Sequence, residues 1–235
     1  MSKMQLCQRE GHWCWPAVAR CAELRFYGRA TFGEESAIET DLRNAGLAIA
    51  YLRQKHTARV VSVAAAGDAG AADALITTRP GLALRIATAD CVPILLVGEG
   101  VVAAVHAGWR GIAADIVGRT LDQWPDKALP RAVIGPAIGP CCYEVGDDVA
   151  RDVADASTPQ VVVEGPSDQP HLDLHRAVMD QLARAGVDRI DSVPACTRCE
   201  PERLWSYRRE GPRAGRNLAF VWLSEEAKGR RNSGR

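Results

Sequence analysis

Apolar residues in the middle of the chain come in short runs bounded by turn formers: LALRIAT at 82–88, PILLV at 93–97 and VVAAVHA at 101–107. This is the pattern of buried strands. VVSVA at 60–64, RAVIG at 131–135, RIDSV and NLAFVWL predict four more. Helical spacing appears in three places. Ile38, Leu42, Ala45, Ile49 and Leu52 fit one helix face leading to Gln54 and His56. WRGIAADIVGRTLDQW puts Ile112, Ile116, Val117, Leu121 and Trp124 on the face of a second helix that Pro125 closes. DLHRAVMDQLARAG reads as a third, with Asp173 as N-cap, Leu174, Val178 and Leu182 as a stripe and Gly186 as the stop. Residues 1–25 show no sustained period, and the tail EEAKGRRNSGR is polar, basic and expected to fray.

The chain has 235 residues, 47% of them hydrophobic, enough for a sizeable core. No repeat, long linker or shift in composition divides it. Lys plus Arg and Asp plus Glu both number 29, so there is no net charge to attract nucleic acid or an anionic membrane. The apolar runs fall short of the roughly 18 residues that a membrane span needs. Eight cysteines are too few for a disulfide scaffold of this length, and no apolar leader follows a charged start, so a cytoplasmic protein is expected.

Candidate chemistry gathers in TADCVPILLVGEGVVAAVHAGWRG. With Gly98 and Glu99 as the turn of a hairpin, Cys91 falls opposite His106, where Cβ atoms lie about 4.5–5.5 Å apart. Pro93 places the hairpin at a sheet edge or starts it just after Cys91. A thiolate and an imidazole make half a metal site, and His56 is the candidate third ligand, with His12, His171 and His175 as competitors. Spacing does not choose between a site and ordinary core or surface residues. After His106, Gly108 and Gly111 allow close backbone approach at a helix start, and Arg110 adds a fixed positive charge that suits a phosphate. Neither GxxxxGK[ST] nor GxGxxG occurs. Cys7, Cys14 and Cys21 read as unpaired thiols in an irregular arm. Cys141 and Cys142 in GPAIGPCC read as buried and inert. Cys196 and Cys199 form a lone CxxC with no second pair within reach in sequence, so they read as surface or core residues. ERLWSYRREG mixes aromatic and Arg residues that can bind a base or phosphate, or can simply be solvated.

Five motifs in order, TADCVPILL, VVAAVHAGWRG, IGPAIGPCCYEVG, HLDLHRAV and CTRCEPERLWSYRREG, resemble the family variously called YfiH-like, laccase-domain, multicopper polyphenol oxidase or purine nucleoside phosphorylase proteins. The resemblance runs from about Tyr51 to Leu223. QKHTARVV is similar to that family's QxHGxxV, with Thr57 in place of Gly. The resemblance implies a single domain over 1–235, with 1–25 a poorly matched segment and 224–235 a flexible tail. The implied fold is α+β, four layers α/β/β/α with two mixed sheets packed face to face. His56, Cys91 and His106 become the metal ligands, for Zn2+ or alternatively Cu2+.

Two His and one Cys leave one tetrahedral position open, as in a catalytic zinc site. The implied function is zinc-dependent purine nucleoside phosphorylase, acting on adenosine, inosine, guanosine or methylthioadenosine, with adenosine deaminase activity. Its partners are then a purine nucleoside and inorganic phosphate, with no nucleic acid or membrane, in a monomer or small homo-oligomer. Cys91, His106 and Asp90 are the expected catalytic residues. Asp90 can orient a ligand, carry a proton or, as a turn carboxylate, hold backbone amides. Arg110 is the expected phosphate contact, and Arg29, in RFYGRATFG, is the counterpart of an Arg in the family's N-terminal motif. The alternatives are a copper polyphenol oxidase, a cell-wall precursor hydrolase with Cys91 as nucleophile and His106 as base, and a non-enzymatic metal-binding remnant. Five His in the whole chain cannot furnish a trinuclear copper cluster beside a further copper site.

Overall fold

A computed structural model describes residues 5–7, 12–14, 22–29, 35–165 and 168–224. In chain order the strands are β1 (Gln5–Cys7), β2 (His12–Cys14), β3 (Ala22–Tyr27), β4 (Ala48–Arg53), β5 (Val60–Ser62), β6 (Gly67–Ala71), β7 (Ala74–Thr77) and β8 (Leu82–Thr88). There follow β9 (Val92–Gly98), β10 (Val101–Ala107), β11 (Arg131–Ile134), β12 (Val162–Val163), β13 (His171–Leu172), β14 (Ile190–Ser192) and β15 (Asn217–Leu223). The helices are α1 (Glu35–Asn44), α2 (Trp109–Ala113), α3 (Ile116–Asp122), α4 (Asp147–Ala156), α5 (Leu174–Arg184) and α6 (Tyr207–Glu210).

Seven strands form one sheet in the order β1-β2-β3-β15-β8-β4-β6, and six form the other in the order β14-β11-β9-β10-β7-β5. Both are mixed: β4 runs parallel to β6 and β8, β5 to β7 and β11 to β14, and the other pairs in the two sheets are antiparallel. Alternation along each strand makes the layers. Leu84, Ile86, Ala219 and Val221 of the first sheet share a core with Leu95, Val97, Val102 and Ala104 of the second. The opposite faces meet helices. Phe220 and Trp222 pack with Ile38 and Leu42 of α1, while Val105 and Ile94 pack with Ile112, Val117, Val153 and Val178. The fold is therefore α+β, with helices outside two face-to-face mixed sheets. Three connections, β4 to β5, β6 to β7 and β8 to β9, carry the chain from the first sheet to the second. Among the described residues no helix is long and apolar enough to cross a membrane.

Several expectations need correction. The long helix through Leu52 does not form: α1 stops at Asn44 and Ala48–Arg53 is a strand. Gly46 ends the helix at φ +85°, with Gly46 N–H donating to Arg43 and Leu47 N–H to Leu42, the pattern of a Schellman stop. The helix after His106 breaks in two at Asp115, which takes φ 56° and caps α3 by accepting from Gly118. The β9–β10 turn is Glu99–Gly100, so Pro93 faces His106 and Cys91 lies just beyond the paired strand. β9 is interior to its sheet, between β11 and β10, and starts immediately after Cys91. The N-terminal arm is not irregular throughout, because β1, β2 and β3 form an antiparallel meander. Cys14 is disulfide-bonded and is not the unpaired thiol expected. Cys21 and the tail at 225–235 lie outside the described residues.

Candidate active site

His56 lies on the β4–β5 link, Cys91 on the β8–β9 link and His106 next to the end of β10. Their ligand atoms all lie within 4.8 Å of one another. The Cys91 sulfur is 3.7 Å from His56 Nε2, and the two imidazoles meet edge-on with centroids 4.8 Å apart. Cys91 and His106 do come together as expected, but not as directly opposed hairpin partners. The register is shifted, yet Cys91 remains at the mouth of the same pair of strands.

Asp73, on the β6–β7 link, organises this group and was not singled out from the sequence. It is fully buried, and its carboxylate accepts from His106 Nδ1 at 2.8 Å. It also accepts from the backbone N–H groups of Lys55 at 3.1 Å, His56 at 2.9 Å and Thr57 at 2.7 Å, and from the Thr57 hydroxyl at 2.7 Å. Holding Nδ1 as the donor leaves the Nε2 lone pair of His106 free for a ligand. Three consecutive amides on one carboxylate fix the loop in which His56 takes φ 59°. No spacing rule points to Asp73, which stands with Asp68 in an alanine-rich stretch.

Electrostatics follow from that geometry. Burial would push the Cys91 thiol up, but His106 and His56 beside it bring it down to about 6. Burial would push His106 down, but Cys91 and Asp73 lift it to about 9. Burial likewise opposes ionisation of Asp73, yet His106 and Thr57 hold it well below the carboxylate range. Without a metal, the contact biases Cys91 toward thiolate and His106 toward imidazolium, and a bound metal would take the place of the His106 Nε2 proton. Gly108 leaves the room: a Cβ there would lie 2.8 Å from His56 Cδ2 and 3.1 Å from the Cys91 sulfur.

Around the three donors stand groups of mixed charge. Arg110, the second residue of α2, has its guanidinium 4.2 Å over the Trp109 ring, and its side chain donates to no acceptor among the described residues. Tyr143 feels Cys91, Asp90, Arg208 and Arg110; burial first, then Cys91, raise its phenol to about 12. Arg208 lies 5.2 Å from the Tyr143 ring and donates to the Glu144 carbonyl. Neither Tyr143 nor Arg208 was chosen from the sequence, although each lies within a motif quoted above. Asp90 takes φ 91° and uses both carboxylate oxygens, accepting from the Thr197 hydroxyl at 2.5 Å and the Arg208 N–H at 2.6 Å. Arg29 is engaged elsewhere. It pairs with Glu210, donates to the Pro201 carbonyl and stacks 4.1 Å over Trp205.

The competing histidines do not join the three. His12 packs on Tyr27, His171 Nδ1 donates to the Pro140 carbonyl at 2.6 Å, and His175 Nε2 donates to the Gly135 carbonyl at 2.8 Å. The reading of Cys196 and Cys199 as a lone pair is overturned. Cys141 and Cys142 come against them, with all four sulfurs within 4.8 Å of one another. The partner pair was distant in sequence, and the parallel bridge between Ala137 and Cys196 brings the two loops together.

The family model described as multi-copper polyphenol oxidoreductase laccase matches residues 35–224. The chain belongs to this family. A purine nucleoside phosphorylase of Corynebacterium glutamicum is 40% identical to this laccase-domain chain over 189 residues, covering 76% of each. An adenosine deaminase from an unknown prokaryotic organism is 37% identical over 161 residues, 64% of this chain and 62% of that protein. YlmD from Geobacillus stearothermophilus superposes with a TM-score of 0.79 at 29% identity, covering 94% of this chain and 99% of that one. The laccase-domain match begins upstream of Tyr51, so it takes in α1 and β4.

Proposed function

We propose that this laccase-domain chain is a zinc-dependent purine nucleoside phosphorylase that also deaminates adenosine at the same site. The observation that carries the reading is the convergence of His56, Cys91 and His106 on one point, with Asp73 holding His106 in the tautomer that offers Nε2. The donor set fits zinc: two imidazoles, a thiol already low enough to ionise, and clearance left by Gly108. When bound, zinc supplies Lewis acidity beside the substrate.

The chain's own residues supply binding and positioning. In phosphorolysis an oxygen of inorganic phosphate bonds to C1′ of the ribose as the bond to the purine nitrogen breaks, so the need is for anion binding and alignment. Arg110, whose side chain has no acceptor among the described residues, and Arg208, next to Tyr143, would hold the phosphate in this reading. Tyr143 offers an aromatic face and a phenol that stays protonated at neutral pH. In deamination a water oxygen replaces the amino group at C6 and ammonia leaves. Asp90 acts in this reading by holding the Thr197 and Arg208 loops in place, since both its oxygens are occupied. Arg29 braces the 201–210 loop through Glu210 and Trp205, so phosphate binding in this reading rests on Arg110 and Arg208.

Multicopper oxidation has less support, because His12, His171 and His175 are each turned to other partners. The thiolate–imidazolium pair also suits a cysteine hydrolase, and metal content separates the two readings. The test is zinc content measured together with hypoxanthine release from inosine, with and without phosphate. Near-stoichiometric zinc in the site and phosphate-dependent release are expected. His106→Ala should lose both the metal at this site and the activity, and phosphorolysis surviving in that variant with no metal at this site would sink the zinc reading.

A further inference from the structure

The loop after β11 and the loop after β14 each bring two cysteines to one place, away from the three donors described above. Cys142 N–H and Tyr143 N–H both donate to the Gly139 carbonyl, forming the turn that carries Cys141 and Cys142. On the other side Cys199 N–H donates to the Cys196 carbonyl at 3.1 Å, closing the CxxC turn. We propose that Cys141, Cys142, Cys196 and Cys199 form a second metal site, holding one tetrahedral ion of the zinc type with no open position.

The spacing supports a single ion. A tetrahedral ion with metal–sulfur bonds of about 2.3 Å sets its sulfurs about 3.8 Å apart. Here Cys199 lies 3.7 Å from the Cys141 sulfur and 3.4 Å from that of Cys142, and every pair lies within 4.8 Å. A disulfide would need about 2.0 Å, and all four are free cysteines. Iron–sulfur clusters with several irons place their thiolates further apart. The backbone favours a thiolate at Cys196: Gly139 N–H donates to its sulfur at 3.2 Å. Gly139 admits this approach, because a Cβ there would lie 3.3 Å from both the Cys141 sulfur and Cys196 Cβ.

Four protein ligands leave nothing for a substrate, so the ion is structural. It ties the loop that bears Tyr143 to the loop whose Thr197 binds Asp90, and so sets the rim of the candidate active site.

The test uses the full-length protein purified without chelator. Metal analysis should find about two equivalents of zinc in the wild type and about one in each of Cys199→Ser, Cys142→Ser and Cys91→Ala. Cobalt(II) substitution of the wild type should give the intense sulfur-to-metal charge-transfer and visible bands of a tetrathiolate centre. Cys91→Ala should keep them and Cys199→Ser should lose them. One equivalent in the wild type that Cys91→Ala abolishes, or full metal content in Cys199→Ser, overturns the proposal. If the serine variants do not fold, the wild-type cobalt spectrum decides, and a spectrum with only the two-imidazole, one-thiolate signature counts against the site. Failure of the three-donor site would instead show as one equivalent that Cys91→Ala leaves in place.

Discussion

At the scale of single residues, His106 works through the atom that faces away from the donors. Its Nδ1 is committed to Asp73, so removing that acceptor disturbs both the tautomer and three loop amides. Asp73→Asn should weaken zinc binding about 10–100-fold, measured by competition with a chelator of known affinity. The pH dependence of that binding follows from the same contacts. Metal needs Cys91 as thiolate and His106 neutral. The thiol sits at about 6 and the imidazolium at about 9, so between those values one proton, from His106, must leave when metal binds. Affinity should therefore rise about tenfold per pH unit from about 6 to about 9 and level off above, with a steeper fall below about 6 where the Cys91 proton also competes. A flat profile across that window, in titrations with purified metal-free protein, would contradict the pairing.

At the scale of elements, sequence pattern worked where burial is periodic and failed where one glycine or one aspartate outweighs the period. β8 and β10 fall on the predicted bounds because nearly every position of each strand is buried, which leaves a mostly apolar run between turns. The run from Ile38 to Leu52 fits a helix equally well, yet Gly46 divides it into α1 and β4. Gly46→Ala tests this stop. No atom lies within 4 Å of the added Cβ, so the cost is the left-handed backbone alone, about 1 kcal/mol, or a fall of about 2–4 °C in Tm by thermal unfolding. The candidate site was legible in the same uneven way. Cys91, His106 and His56 stand in readable contexts, whereas Asp73, Tyr143 and Arg208 gain their roles only when separate links and loops come together. The Cys141–Cys142 turn and the Cys196–Cys199 turn likewise have no sequence spacing that announces their meeting.

At the scale of the whole molecule, the two sheets bury a shared core in which Leu95 is fully enclosed. Leu95→Ala should cost about 2–5 kcal/mol in denaturant unfolding while leaving the metal stoichiometry of the folded fraction unchanged, because the substitution lies in that core and not among the donors. His56, Asp73 and Cys91 each sit on a connection that passes from the first sheet to the second, while His106 belongs to the second sheet. A chain whose sheets have not docked therefore has no complete set of donors, and a bound ion adds stability only to the docked state. Zinc retention thus becomes a readout of correct assembly: during refolding, the rate at which metal becomes locked in would time the closing of the sandwich, with no need for a fluorescent label.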